Sequence, residues 1–185
     1  MKKVYFITTN DFKFKKFTEA IRLDSIEISQ LKEETPEIQA KNNRLIAEFS
    51  AKWAADTFNH PVIKEDVGIY IESLAGFPGP YLSDVEKQLQ TDGFLRLLDG
   101  KGHRSAYWEY AVAFCEPGKE PVSFYTHQKG TIATEARGET GWYMDKIFIP
   151  EGHNKTIAEL LETNEYIRNE DHYHKLKEYL QENFS

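Results

Sequence analysis

The chain has 185 residues, 40% of them hydrophobic and 14% aromatic, which is enough length and apolar mass for one sizeable core with its own cleft. Charged residues make up 29% with a formal net charge of −7, so the basic surplus of a protein that grips a phosphodiester backbone is missing and long nucleic acid is not an expected partner. The single cysteine, Cys115, cannot close an intramolecular disulfide, the apolar run after Met1-Lys2-Lys3 covers only Val4 to Ile7, and no later stretch approaches the ~20 apolar residues that span a bilayer; a cytoplasmic protein without a membrane anchor is expected.

The opening run Val4–Ile7 reads as a strand, Thr8-Thr9-Asn10 as a polar turn, and Phe14, Phe17 and Ile21 as the apolar face of a helix. A second helical pattern runs from about Lys41 to Thr57 with Leu45, Ile46, Phe49 and Trp53 on one arc, and Pro61 then starts a short strand, Val62-Ile63. Ile69 and Ile71 alternate with Tyr70 and Glu72 in a further strand, which ends at the turn cluster Gly76-Phe77-Pro78-Gly79-Pro80. A helix follows from about Asp84 to Leu98. Two aromatic and β-branched runs, Ala106–Cys115 and Val122–Thr131, then form an antiparallel hairpin around Glu116–Pro121, and the tail from Thr156 has helical spacing. No repeat, low-complexity tract or linker interrupts the chain, so residues 1–185 are expected to form one α/β domain with a mixed sheet.

Neither Gly-x-Gly-x-x-Gly nor Gly-x4-Gly-Lys-Ser/Thr occurs, so any phosphate site is built differently. Thr8-Thr9-Asn10 sits where a strand hands over to a helix, with amide N–H groups and the positive end of the helix dipole facing outward and Lys13 one turn inside. Either this turn cradles phosphate or Thr9 or Asn10 merely caps the helix. Glu65-Asp66 places two carboxylates at the expected end of a strand next to Gly68, and Glu37 is a candidate third acid; a hard cation such as Mg²⁺ needs only one or two protein carboxylates beside water and phosphate oxygens. Each acid taken alone is equally a surface charge. Lys52 lies at the edge of the Leu45/Phe49/Trp53 stripe, where its ammonium either reaches a cleft or snorkels to water.

Taken in order, Thr8-x-Asn10-x-x-Lys13, Glu37-x-Gln39, Glu65-Asp66-x-Gly68, Gly76–Tyr81 and Gly141–Phe148 resemble the inosine triphosphate pyrophosphatase family, house-cleaning enzymes for non-standard nucleoside triphosphates, and the likeness extends to about Leu160. The resemblance implies an elongated mixed sheet flanked by helices, two lobes with a central cleft, Mg²⁺-dependent hydrolysis to nucleoside monophosphate and pyrophosphate, and a homodimer. It further implies that Thr8, Thr9, Asn10 and Lys13 hold the triphosphate with help from Lys52. Glu37, Glu65 and Asp66 would meet Mg²⁺, and Asp66 would take the proton of the water attacking the α-phosphorus. Gly76–Tyr81 matches a rigid cleft wall, or is only a structural turn. Trp142 matches an aromatic on which the base stacks and Asp145 an acid beneath it; a buried core tryptophan is the other reading of Trp142.

The likeness departs at Lys16, Val67 and Lys146, where the family has Glu, Ser or Thr, and Pro, and in the shorter loop after Lys52, and it fails near the last helix. Family members carry Ser-His-Arg near the last helix to select a 6-keto base, and this chain has Tyr166–Lys175 instead, where only His172 or Arg168 could donate to a base. Glu170 and Asp171 could instead accept from an amino group, or simply start a helix. Two other classes of function remain open from the sequence: a nucleotide-binding sensor without turnover, and an α/β phosphatase that releases orthophosphate.

Overall fold

In the computed structural model, which describes residues 2–36 and 38–184, the elements run β1 (Lys2–Ile7), α1 (Asp11–Ala20), β2 (Ile26–Leu31), α2 (Asn43–Phe58), β3 (Val62–Ile71), β4 (Pro78–Gly79), α3 (Leu82–Leu97), β5 (Ser105–Cys115), β6 (Val122–Ile132), β7 (Phe148–Pro150), α4 (Ile157–Glu162) and α5 (Asp171–Asn183). Among the described residues seven strands form one sheet in the order β2-β1-β3-β5-β6-β7, with β4 pairing onto β3. β1 runs parallel to β2 and to β3, whereas β4 pairs antiparallel with β3 and β7 antiparallel with β6, so the expected mixed α/β sheet is present.

The chain divides into two compact units, one of Met1–Asp66, Tyr110–Thr126 and Glu170–Ser185, the other of Val67–Glu109 and His127–Asn169. In the first unit, strand alternation sends apolar side chains to both faces of the sheet. Val4, Phe6, Ile63, Val112 and Phe114 pack with Phe17 of α1 and Tyr173, Leu176 and Leu180 of α5. On the opposite face Ile7, Val62, Ala111, Ala113 and Cys115 meet Ala47, Ala51, Ala54 and Ala55 of α2, whose small side chains let the helix lie close. Burial there pushes the Cys115 thiol up to about 11, which leaves it inert. In the second unit Tyr70 of β3 stacks on Tyr107 of β5 with ring centroids 5.0 Å apart. Arg104 donates to the carbonyls of Ile132 and Ala133 at 2.9 and 2.7 Å, fixing the end of β6.

Several boundaries differ from the sequence reading. Val62-Ile63 and Ile69–Ile71 are one ten-residue strand, so Glu65-Asp66 lies inside β3 and not at a strand end. β2 went unread because its apolar face is thin, with only Ile26 fully buried. Pro78-Gly79, inside the turn cluster, bonds as a short strand, and the tail resolves into α4 and α5. No helix among the described residues is long and apolar enough to cross a membrane.

Candidate functional site

The turn after β1 is a cap before it is anything else. Asn10 holds an extended conformation, and its Oδ1 accepts from the amides of Phe12 and Lys13 at 2.9 and 3.2 Å, while Thr8 Oγ1 accepts from Asn10 N at 3.1 Å. Such a cap is worth about 1 kcal/mol and uses three of the amides that the sequence suggested were free to face a ligand. Thr8 is buried and anchored by Gln30 Nε2, which donates to its carbonyl at 3.1 Å; Thr9 is exposed. The cap nevertheless fixes the first turn of α1, and so aims Lys13.

Lys13 faces Asp66. The carboxyl of Asp66 is half-buried, and loss of solvent pushes its pKa up to about 6, with the Lys13 charge pulling it back down and an Asn43 hydrogen bond acting in the same direction. Asn43 is itself buried in the first turn of α2, beside the capping Asn42, and donates Nδ2 to Asp66 Oδ2 at 2.7 Å. Sequence reasoning missed Asn43; its only signal was the Asn42-Asn43 doublet at a helix start, where one residue caps and the other is free to turn inward. A carboxyl with a pKa near neutrality, fixed by an amide and set before an ammonium, has the properties of a general base.

Glu65 goes the other way. Consecutive residues of a strand leave on opposite faces, so Asp66 meets α2 and Glu65 meets α5. Glu65 is 4% exposed, its Oε1 accepts from the Tyr173 hydroxyl at 2.8 Å, and His172 Nε2 stands 3.9 Å from the same oxygen. Tyr110 stacks on the His172 ring at 5.7 Å. His172, expected as a donor to a base, is fully buried in this cluster. Glu37 lies outside the described residues. Lys52 is not brought to Asp66: it donates to the Lys119 carbonyl at 3.0 Å and pairs with Glu120 at 3.1 Å, at the tip of the β5–β6 hairpin. Nine positions after Asn43 on the same helix, it stands about 13 Å along the axis and half a turn around it.

In the second unit, Gly141 takes φ +91°, and a Cβ there would lie 2.5 Å from Asp145 Oδ2. That close approach lets Trp142 N donate to the same Oδ2 at 2.7 Å, while Asp145 N donates back to the Trp142 carbonyl at 3.1 Å. Burial pushes the Asp145 carboxyl up to about 6, against the pull of the Trp142 amide and the Arg168 charge. Trp142 itself is 60% exposed, which excludes the reading of a core tryptophan. The Gly76–Tyr81 turn packs on Tyr70: a Cβ at Gly79, where φ is +56°, would come 3.1 Å from Tyr70 Cε1.

The acids offer the oxygen donors that a hard cation takes. Among the described residues, no group of three or more His, Cys, Asp or Glu side chains is gathered that could hold a metal ion.

Comparison with known proteins identifies the family. Residues 4–170 match the model of the Ham1 family. Two curated proteins named dITP/XTP pyrophosphatase, from Methanopyrus kandleri and Pyrococcus horikoshii, are 41% and 40% identical over 158 residues, covering 85% of this chain and 84% of each relative. The solved structure of a HAM1 protein from Coxiella burnetii superposes with a TM-score of 0.85 at 26% identity, covering 98% of this chain and all of that one. The resemblance carried by the five ordered sequence blocks is thus borne out, and the chain belongs to the Ham1 family.

Proposed function

We propose that this protein hydrolyses non-standard nucleoside triphosphates, such as the dITP and XTP for which its relatives are named, to the nucleoside monophosphate and pyrophosphate. The observation that carries the mechanism is the Asp66 carboxyl, lifted to a pKa of about 6 and set between Asn43 and Lys13. Above that pH Asp66 accepts a proton from the water that attacks the α-phosphorus, and Asn43 holds the carboxylate in one orientation as it does so. Lys13 neutralises phosphate oxygens, with the Thr8-Thr9-Asn10 turn beside them. Trp142 offers an aromatic face to the base, and Asp145 fixes the turn that presents it.

Mg²⁺, when bound, would supply charge neutralisation at the phosphate oxygens. Asp66 is its first proposed ligand and Glu37 a second, proposed from the family resemblance; Glu65, which the resemblance also implied, leaves the opposite face of β3 bonded to Tyr173 and is not proposed for the same ion. Lys52, engaged by Glu120, would have to change partner to help. A homodimer in the cytoplasm is the proposed setting.

The test is product analysis with dITP and XTP in the presence of Mg²⁺. Pyrophosphate in equal amount to the monophosphate is expected, and Asp66→Asn should lower kcat by about 10²–10⁴-fold. Orthophosphate as the primary product would identify a phosphatase instead. Tight nucleotide binding with no product would identify a sensor.

A further inference from the structure

α3 does not run straight. At Gln90 its backbone leaves the helix with φ 53° and ψ −171°, a conformation that glycine takes freely and that a Cβ makes costly. The break is built in on both sides. Gly93 leaves room for Leu89, whose Cβ lies 2.7 Å from where a Cβ on residue 93 would stand. Thr91, nearly buried, donates Oγ1 to the Tyr143 carbonyl at 2.9 Å and so ties the kink to the Trp142 turn. Between kink and turn lies a cavity of about 480 Å³ lined by Gln90, Asp92, Gly141, Trp142, Tyr143 and Lys146, all of the second unit.

We infer that this cavity holds the base of the nucleotide and that Gln90 and Asp92 read its edge, Gln90 being held in a strained conformation for that contact. The inference rests on the nucleotide reading above and adds the residues that select the base. The chemistry of the walls favours a planar, uncharged heterocycle. The exposed Trp142 ring offers a stacking face, while Lys146 already pairs with Glu139 at 3.3 Å and Asp92 is anionic, so the cavity holds no surplus positive charge for phosphate. The Gln90 amide can donate to a keto oxygen, and the Asp92 carboxylate, an acceptor only, can take a ring N–H. A 6-keto purine presents these groups side by side. Adenine sets a ring-nitrogen lone pair against the carboxylate instead, which leaves polar groups unpaired. Of the donors suggested by sequence alone, His172 is buried beside Glu65, and the Arg168 charge acts on the Asp145 carboxyl that holds the Trp142 turn.

Two variants and one ligand test this. Gln90→Gly removes the amide and relieves the backbone together. It should melt about 2–4 °C higher than the parent, while the ratio of kcat/KM for dITP over dATP falls about tenfold or more. Asp92→Asn, which leaves the backbone alone, should lower the same ratio. Independently of turnover, deoxyinosine should quench the Trp142 fluorescence, read as the difference between the protein and its Trp142→Phe variant, and the quench should weaken about tenfold in Gln90→Gly. A ratio unchanged in both variants, or a quench that survives Gln90→Gly, overturns the assignment. So does a Gln90→Gly protein that melts below the parent. If the parent cleaves no nucleoside triphosphate at all, the hydrolytic reading fails, and the deoxyinosine quench alone decides whether the cavity takes a base.

Discussion

Asp66 places activity and stability in opposition. Its carboxyl titrates at about 6 in the folded protein, against 3.8 for an aspartate free in water, so folding favours the protonated form. The stabilisation from that proton is complete below about pH 4 and is lost as the pH rises through 6, at a cost of about 2–3 kcal/mol. Asp66→Asn should therefore be more stable than the parent to urea at pH 8, with the difference vanishing near pH 4, even as turnover collapses. Lys13→Ala removes the charge that holds the Asp66 pKa down, so the acidic limb of its residual kcat should move to higher pH; a limb that stays in place would separate Lys13 from the base. The doublet Glu65-Asp66 was legible as chemistry but not as geometry, because residue types advertise acidity while strand alternation decides which face each acid joins. Tyr173→Phe probes the other face: with its phenol donor gone, the buried Glu65 oxygen should cost about 1–3 kcal/mol in denaturant unfolding.

At the scale of elements, the sequence disclosed helices by period and strands by β-branched and aromatic runs, and it failed where the period was masked. Lys64, Glu65 and Asp66 interrupt the apolar pattern of β3 and made one strand look like two. β2 offered too little apolar face to register, and its pairing with β1 over six residues is a backbone matter that side chains do not announce. The kink at Gln90 had no signal of its own, since glutamine is an ordinary helix residue and the break is marked by tertiary features, the tie from Thr91 to Tyr143 and the close approach of Leu89 to Gly93. The β6–β7 pair depends on one missing side chain. A Cβ at Gly130 would lie 2.3 Å from the Ile149 carbonyl and 2.5 Å from the Phe148 ring, and Gly130 pairs with Pro150 across the ladder. Gly130→Ala should thus lose about 1–3 kcal/mol of unfolding free energy, and hydrogen exchange at the Thr131 and Ile149 amides should show whether the loss is confined to this strand pair.

For the whole molecule, the order of strand and helix patterns settled the class and the ordered motifs settled the family, because five blocks spread over most of the chain constrain each other far more than any one of them. What composition could not disclose is the partition of the chain. The first unit is assembled from three separate stretches, and its core needs α5, the final helix, to cover Val4, Phe6 and Ile63. Every residue of the second unit precedes residue 170. Synthesis on the ribosome therefore delivers all of one unit before the other can close, and the Glu65 carboxyl waits for α5 to emerge before it meets its phenol. A chain stalled or cleaved at Asn169 would leave the amino-terminal strands without their lid, an orphaned intermediate that quality-control proteases should remove while the full-length product survives.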